Sequence, residues 1–195
     1  MKRTIRVFSL LLAAVMLLSA QALAAEPAQA FTDVSKQDYF YDAVNWAVEK
    51  EITSGVSKDA FAPERDCTRA DFVTFLWRAA GKPVVNYAMS FSDVKESSYY
   101  AEAVRWAASL GIVTGLSKNT FGAANAVTRE QAVTMLWRFA KQQGFDTTQG
   151  GMAIHEYNDY DSLSEYAREA MAWAGRKRSA NIERSDGAAV ICPSG

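Results

Sequence analysis

The chain has 195 residues, 49% of them apolar and 22% charged, with a formal net charge of −1. That supports a folded core rather than a disordered segment. It excludes a strongly basic nucleic-acid binder, and two cysteines and one histidine are too few for a disulfide framework or a clustered metal site.

The N-terminus reads as a secretory signal peptide, residues 1–24. Lys2, Arg3 and Arg6 precede an apolar run over 7–18, and Ala22-Leu23-Ala24 offers an A-x-A cleavage site, with Ala28-Gln29-Ala30 as a second choice. Cleavage removes three of the 21 basic residues and none of the 22 acidic ones, leaving −4. A mildly acidic exported chain must bind any anionic polymer through local sites. No later segment is apolar enough to span a membrane, so no membrane contact is expected after cleavage. Residues 25–30 form a short leader.

The chain then repeats itself. Residues 31–83 laid over 91–143 without a gap give 21 identities in 53 positions, which settles a repeat architecture before any motif search. Shared positions include Asp33/Asp93, Trp46/Trp106, Gly55/Gly115, Phe61/Phe121, Thr68/Thr128, Arg69/Arg129 and Trp77/Trp137. Residues 84–90 and 145–156 are linkers, and 157–195 hold a third, partial unit.

Each unit reads as helix, loop, helix. The first helices are expected over 41–50 and 101–110, with Phe40, Ala43, Val44 and Ala47 at i, i+3, i+4, i+7. Asp33 and Asp93 lie just upstream, in an Asx-turn or cap position or as direct ligand contacts. Gly111 suits a left-handed helix C-cap, whereas Glu51 at the same place costs stability. Turns ending at Gly55 and Gly115 follow, and Phe61 and Phe121 plug the loops onto the core.

The second helices are expected from Thr68 to about Ala80 and from Thr128 to about Gln142, ending at Gly81 and Gly144. Thr68 with Asp71, and Thr128 with Gln131, have capping-box spacing. Helix 68–80 is apolar almost all round, so units must pack on one another. Trp77 and Trp137 are expected in the core, and Trp46 and Trp106 are more open candidates for sugar contact. Arg69 and Arg129 sit in the first turn, where the helix is already partly positive. Two readings stand. Either the arginines are solvated or paired with carboxylates, or each joins free backbone N–H groups in an anion site.

These motifs together (Phe-x-Asp-Val, Tyr-x-x-Ala-Val-x-Trp-Ala, Ile-Thr-x-Gly, Thr-Arg-Ala-Asp) resemble the S-layer homology (SLH) module over 31–83 and 91–144. The resemblance implies an all-α fold in which tandem helix-loop-helix repeats form a pseudo-threefold bundle. It implies a non-catalytic anchor for a secreted protein at the bacterial cell wall, needing no cofactor or metal. The implied partner is a secondary cell-wall polysaccharide carrying pyruvate ketals, whose carboxylate would meet Arg69 and Arg129. The candidate ligand-binding set is Arg69, Arg129, Thr68, Thr128, Asp33, Asp93, Gly55, Gly115, Trp46 and Trp106. Asp71 replaces the family's glutamate, and Glu130 places a carboxylate beside Arg129.

Tyr157-Asn158-Asp159 and the stretch from Tyr166 to Ala174 resemble the start of a third repeat. From Gly175 the chain turns basic and helix-poor, and it stops before a third Thr-Arg motif. A truncated third repeat is therefore expected, leaving an exposed helical face open to self-association. Two other readings of the same residues are an envelope assembly protein working through protein contacts, and a non-binding SLH fragment.

Overall fold

The computed structural model describes residues 31–148 and 162–182. The expected signal peptide and leader, His155, the Tyr157-Asn158-Asp159 motif and Cys192 lie outside them. The described part is helical: α1 (Tyr41–Glu49), α2 (Arg69–Ala79), α3 (Ala101–Ser109), α4 (Arg129–Gln142), a 3₁₀ turn (Glu165–Ala167) and α5 (Arg168–Ile182). Thus each of the two full repeats contributes a nine-residue first helix and a longer second one.

Local sequence explains the helix ends. Both second helices start with complete capping boxes. Thr68 accepts from the Asp71 N–H and Thr128 from the Gln131 N–H, while each N3 side chain returns to the cap backbone. Gly111, Gly81 and Gly144 leave their helices at φ of +68°, +84° and +75°. Glu51 adopts the same left-handed conformation, φ +55°, without glycine's freedom.

Asp33 and Asp93 do not cap the helices that follow them; α1 and α3 have no side-chain cap bond. Instead each carboxylate reaches about half a repeat ahead. Asp33 accepts from the Phe61 and Ala62 N–H groups at 2.9 and 2.7 Å. Asp93 accepts from those of Phe121 and Gly122, both at 2.8 Å. The clamp pulls the loop down so that Phe121 is fully buried against Phe91, with ring centroids 5.8 Å apart. Burying such a side chain contributes about 1.5–3 kcal/mol.

Packing between units follows one rule. The first helix of a unit lies on the second helix of the preceding unit: α3 on α2, and α5 on α4. The core at the first of these junctions gathers Ala70, Val73 and Leu76 of α2 with Ala103, Val104, Trp106 and Ala107 of α3. Trp106 is therefore not open, as the sequence reading expected; it is 3% exposed and packs edge-on to Phe139. The helix-poor reading from Gly175 onward is also corrected, since α5 runs through to Ile182. Arg, Lys and Ala are good helix formers and outweigh the roughly 1 kcal/mol cost of one glycine.

Candidate functional site

The junction between the two repeats is tied together at the N-terminus of α2. The Arg69 N–H donates to the Asn125 carbonyl at 2.9 Å and the Ala70 N–H to the Ala123 carbonyl at 3.1 Å. The Val127 N–H returns a bond to the Cys67 carbonyl at 2.9 Å. The Asp71 N–H goes to Thr68 Oγ1 and the Thr68 N–H to Asp71 Oδ2. All four N–H groups that a helix start leaves over are thus spent. The expectation of free N–H groups beside Arg69 is overturned, because the second repeat's loop has taken them.

The Arg69 side chain remains. It is 3% exposed. Its Nε donates to the Phe121 carbonyl at 3.0 Å and a terminal nitrogen donates to Gln131 Oε1 at 3.0 Å. The guanidinium carbon lies 4.9 Å from the Phe121 ring centroid, a cation–π contact. Burial pulls the Arg69 pKa down, with the nearby Asp93 charge opposing. It stays a cation, since arginine does not deprotonate in proteins.

Arg69 lines a cavity of about 370 Å³. The 112–116 turn, with Thr114 and Gly115, forms one wall. Gln131, Thr134, Met135 and Arg138 of α4 form another, and Tyr166 closes it from the third unit. Arg138 donates to the Ile112 carbonyl at 3.3 Å, and burial also lowers its pKa. Among the described residues the lining has two guanidiniums, three hydroxyls and an amide, and no carboxylate. It suits an anionic, hydroxyl-bearing ligand.

Of the sequence-predicted residues, this cavity brings together Arg69 and Gly115. Gly115 is a close approach: a Cβ there would lie 2.6 Å from the Phe91 ring and 2.7 Å from two carbonyl oxygens. Gly55 is equally crowded, by Phe31 and the Ala60 carbonyl, in the first repeat. Thr68 and Thr128 are spent as caps, and Asp33 and Asp93 as loop clamps. The N–H bonds from Phe61 and Ala62 hold the Asp33 carboxyl below its ordinary range. Burial pushes Asp93 up, but the Phe121 and Gly122 N–H groups, helped by Arg69, bring it lower overall. Arg129 is exposed and does not line the cavity, and Trp46 is exposed elsewhere, on α1.

Sequence reasoning missed Gln131, Arg138 and Tyr166 as lining residues. The signal for Arg138 was available, since Arg78 recurs at the same place and donates to the matching Ile52 carbonyl at 3.1 Å. Tyr166 had a counterpart too. Tyr99 donates from the second unit to Asp71 at the start of α2, at 2.7 Å. Tyr166 bonds to Glu130 at the start of α4, and the Ser164 N–H donates to the same carboxylate at 3.0 Å. The Cys67 thiol is pushed up to about 11 by burial and by Asp71, so it stays protonated and unreactive.

The S-layer homology domain model matches residues 30–73 and 90–133. The chain is 29% identical over 145 residues to an endoglucanase of Bacillus sp. (strain KSM-635), covering 72% of this chain and 15% of that protein. It is 27% identical to an amylopullulanase of Thermoanaerobacterium thermosulfurigenes, over 90% of this chain and 9% of that protein. It is 25% identical to the S-layer protein sap of Bacillus anthracis, over 69% of this chain and 16% of that one. The chain thus spans less than a fifth of the length of each of these relatives. What it shares with surface proteins and large enzymes alike is the repeat itself: each of its two full repeats is similar to the S-layer homology domain, a similarity it has in common with S-layer and surface-layer proteins.

Proposed function

We propose that this chain is a non-catalytic cell-wall anchor that holds a pyruvylated secondary cell-wall polysaccharide in the cavity between its two repeats. Arg69 is the main carboxylate partner and Arg138 the second cation. The hydroxyls of Thr114 and Tyr166 meet the sugar.

The observation that carries this reading is a cavity with two arginines and, among the described residues, no lining carboxylate, in a chain whose net charge is negative. Arg69 is fixed in advance by the Phe121 carbonyl and Gln131, so little side-chain entropy is lost on binding. Two of its five N–H donors are used in those bonds, and the others suit a carboxylate. Low exposure strengthens the attraction relative to water.

Because Arg69 also holds the fold together, the decisive test alters the ligand rather than the protein. Purified wall sacculi are treated with mild acid to remove pyruvate, and binding of the chain from residue 25 onward is compared before and after. Binding falls at least tenfold on treatment, and free pyruvylated saccharide competes for untreated wall. Binding that ignores pyruvate removal overturns the reading.

A further inference from the structure

The three first helices of this chain have different neighbours. α3 lies on α2 and α5 lies on α4, but among the described helices none comes within packing distance of α1. Equivalent residues record the difference. Trp106 is 3% exposed and Trp46 is 51% exposed. Ala103 and Ala107 are fully buried, whereas Ala43 and Ala47 are only partly covered. The residue types are identical at all three positions, so the neighbour alone decides.

The open face carries Tyr39, Asp42, Ala43, Trp46, Glu49 and Lys50, spaced three and four apart. Tyr39 is 76% exposed, so aromatic surface extends beyond the helix start. An acidic residue stands one turn before Trp46 and a lysine one turn after it. A helix of the second type would match the internal packing rule. Both such helices, α2 and α4, are already covered by α3 and α5 in every copy. Among the described helices, the first-type helix that a second copy still has unpacked is α1, so contact between copies is isologous.

We propose that α1 is a homodimer interface, in which two copies pair antiparallel about Trp46. That register sets Asp42 opposite Lys50 of the partner subunit, twice by symmetry, and a parallel pairing would set like charges together. Ala43 and Ala47 leave room beside each indole. Lys50 now meets the adjacent Glu49 at 3.0 Å, with both side chains more than half exposed. Such a pair is worth little and exchanges readily.

One short helix per copy makes a small interface, so association is weak, with a midpoint on the order of 100 µM. Sedimentation velocity on the chain from residue 25 onward, without wall ligand, reads it independently of polysaccharide binding. The expected result is monomer at low micromolar concentration and dimer at several hundred micromolar. Trp46→Ala weakens association at least tenfold and leaves the circular dichroism spectrum unchanged. Asp42→Lys and Lys50→Asp each weaken it, and the double variant Asp42→Lys/Lys50→Asp recovers it. Hydroxyl-radical oxidation of Trp46 is rapid in dilute solution and slows as dimer forms. A monomer at every concentration overturns the proposal, as does a dimer indifferent to Trp46→Ala or a double variant that does not recover. Trp46 protected in the dilute monomer also overturns it, because the chain's own segments would then cover the face.

Discussion

Arg69 Nη1 and Gln131 Oε1 are 3.0 Å apart, although 62 residues separate them in the chain. The bond joins the first turn of α2 to the first turn of α4, so a residue that looks built for a ligand also holds two repeats in register. Arg69→Ala removes this bond and the one to the buried Phe121 carbonyl, which loses its side-chain donor, while Gln131 Oε1 keeps the Thr128 N–H. It should destabilise the fold by about 2–4 kcal/mol. Gln131→Leu, which removes this bond and the capping-box return from the Thr128 N–H, should cost about 1–2 kcal/mol. Urea denaturation of both single variants and the double variant measures the coupling. Additive losses would mean that the bond contributes nothing.

The two repeats are internal controls for one another at their glycines. Gly115→Ala pushes a Cβ to 2.6 Å from the Phe91 ring and 2.7 Å from backbone oxygens, with φ at +77°. Backbone oxygens cannot move aside cheaply, so a loss of about 2–4 kcal/mol is expected. Gly111→Ala meets nothing within 4 Å and pays only for its φ, about 1–2 kcal/mol. Glu51→Gly runs the other way. It relieves the left-handed conformation at the cost of an exposed pair with Lys82, and should stabilise by about 0.5–1 kcal/mol. Thermal melts of the three variants should fall in that order.

The success of the sequence reading divides along a physical line. Helix starts at Thr68 and Thr128 and the exit at Gly111 were legible because capping and left-handed glycine depend on residues within one turn. Trp46 and Trp106 were not distinguishable, since the same Ala-Val-x-Trp-Ala pattern surrounds both and a packed neighbour separates 51% from 3% exposure. Arg69, singled out for its place at the helix start, lines the cavity, but not beside free N–H groups. The carbonyls of Ala123 and Asn125 that take its helix N–H groups arrive from the next repeat, beyond any local pattern. The Asp33 and Asp93 clamps were missed for the same cause, as their partners lie 28 and 29 residues on.

Those clamps make stability depend on acid. Asp93, Asp33, Asp71 and Glu130 all have folded-state pKa values below their ordinary ones. Burial pushes Asp71 up, but bonds from Tyr99 and Thr68 bring it below its ordinary value overall; the Ser164 hydroxyl, and after it the Ser164 N–H, lower Glu130. A depressed carboxylate binds its proton more tightly in the unfolded chain. Its contribution is therefore present above the ordinary value and is lost as pH falls through the folded-state value. Stability should be flat from pH 6 to about pH 5 and fall below about pH 4. Asp93→Asn should cost about 1–2 kcal/mol at neutral pH and make the acid limb shallower. Denaturant midpoints measured from pH 7 to pH 2 test both; an unchanged limb would remove Asp93 from the account.

Arg129 offers the sharpest contrast with Arg69, because it occupies the same place in the repeated motif and nearly the opposite environment. Its side chain is exposed and lines no part of the cavity. Glu130, the next residue, is engaged by Ser164 and Tyr166 rather than by the arginine. Arg129→Ala should change stability by no more than about 0.5 kcal/mol. On untreated wall sacculi it should bind within twofold of the unaltered chain, while Arg138→Gln, inside the cavity, weakens binding at least tenfold. Loss of wall binding in Arg129→Ala, with the fold intact, would move the ligand from the junction of the two repeats to the junction with the third unit.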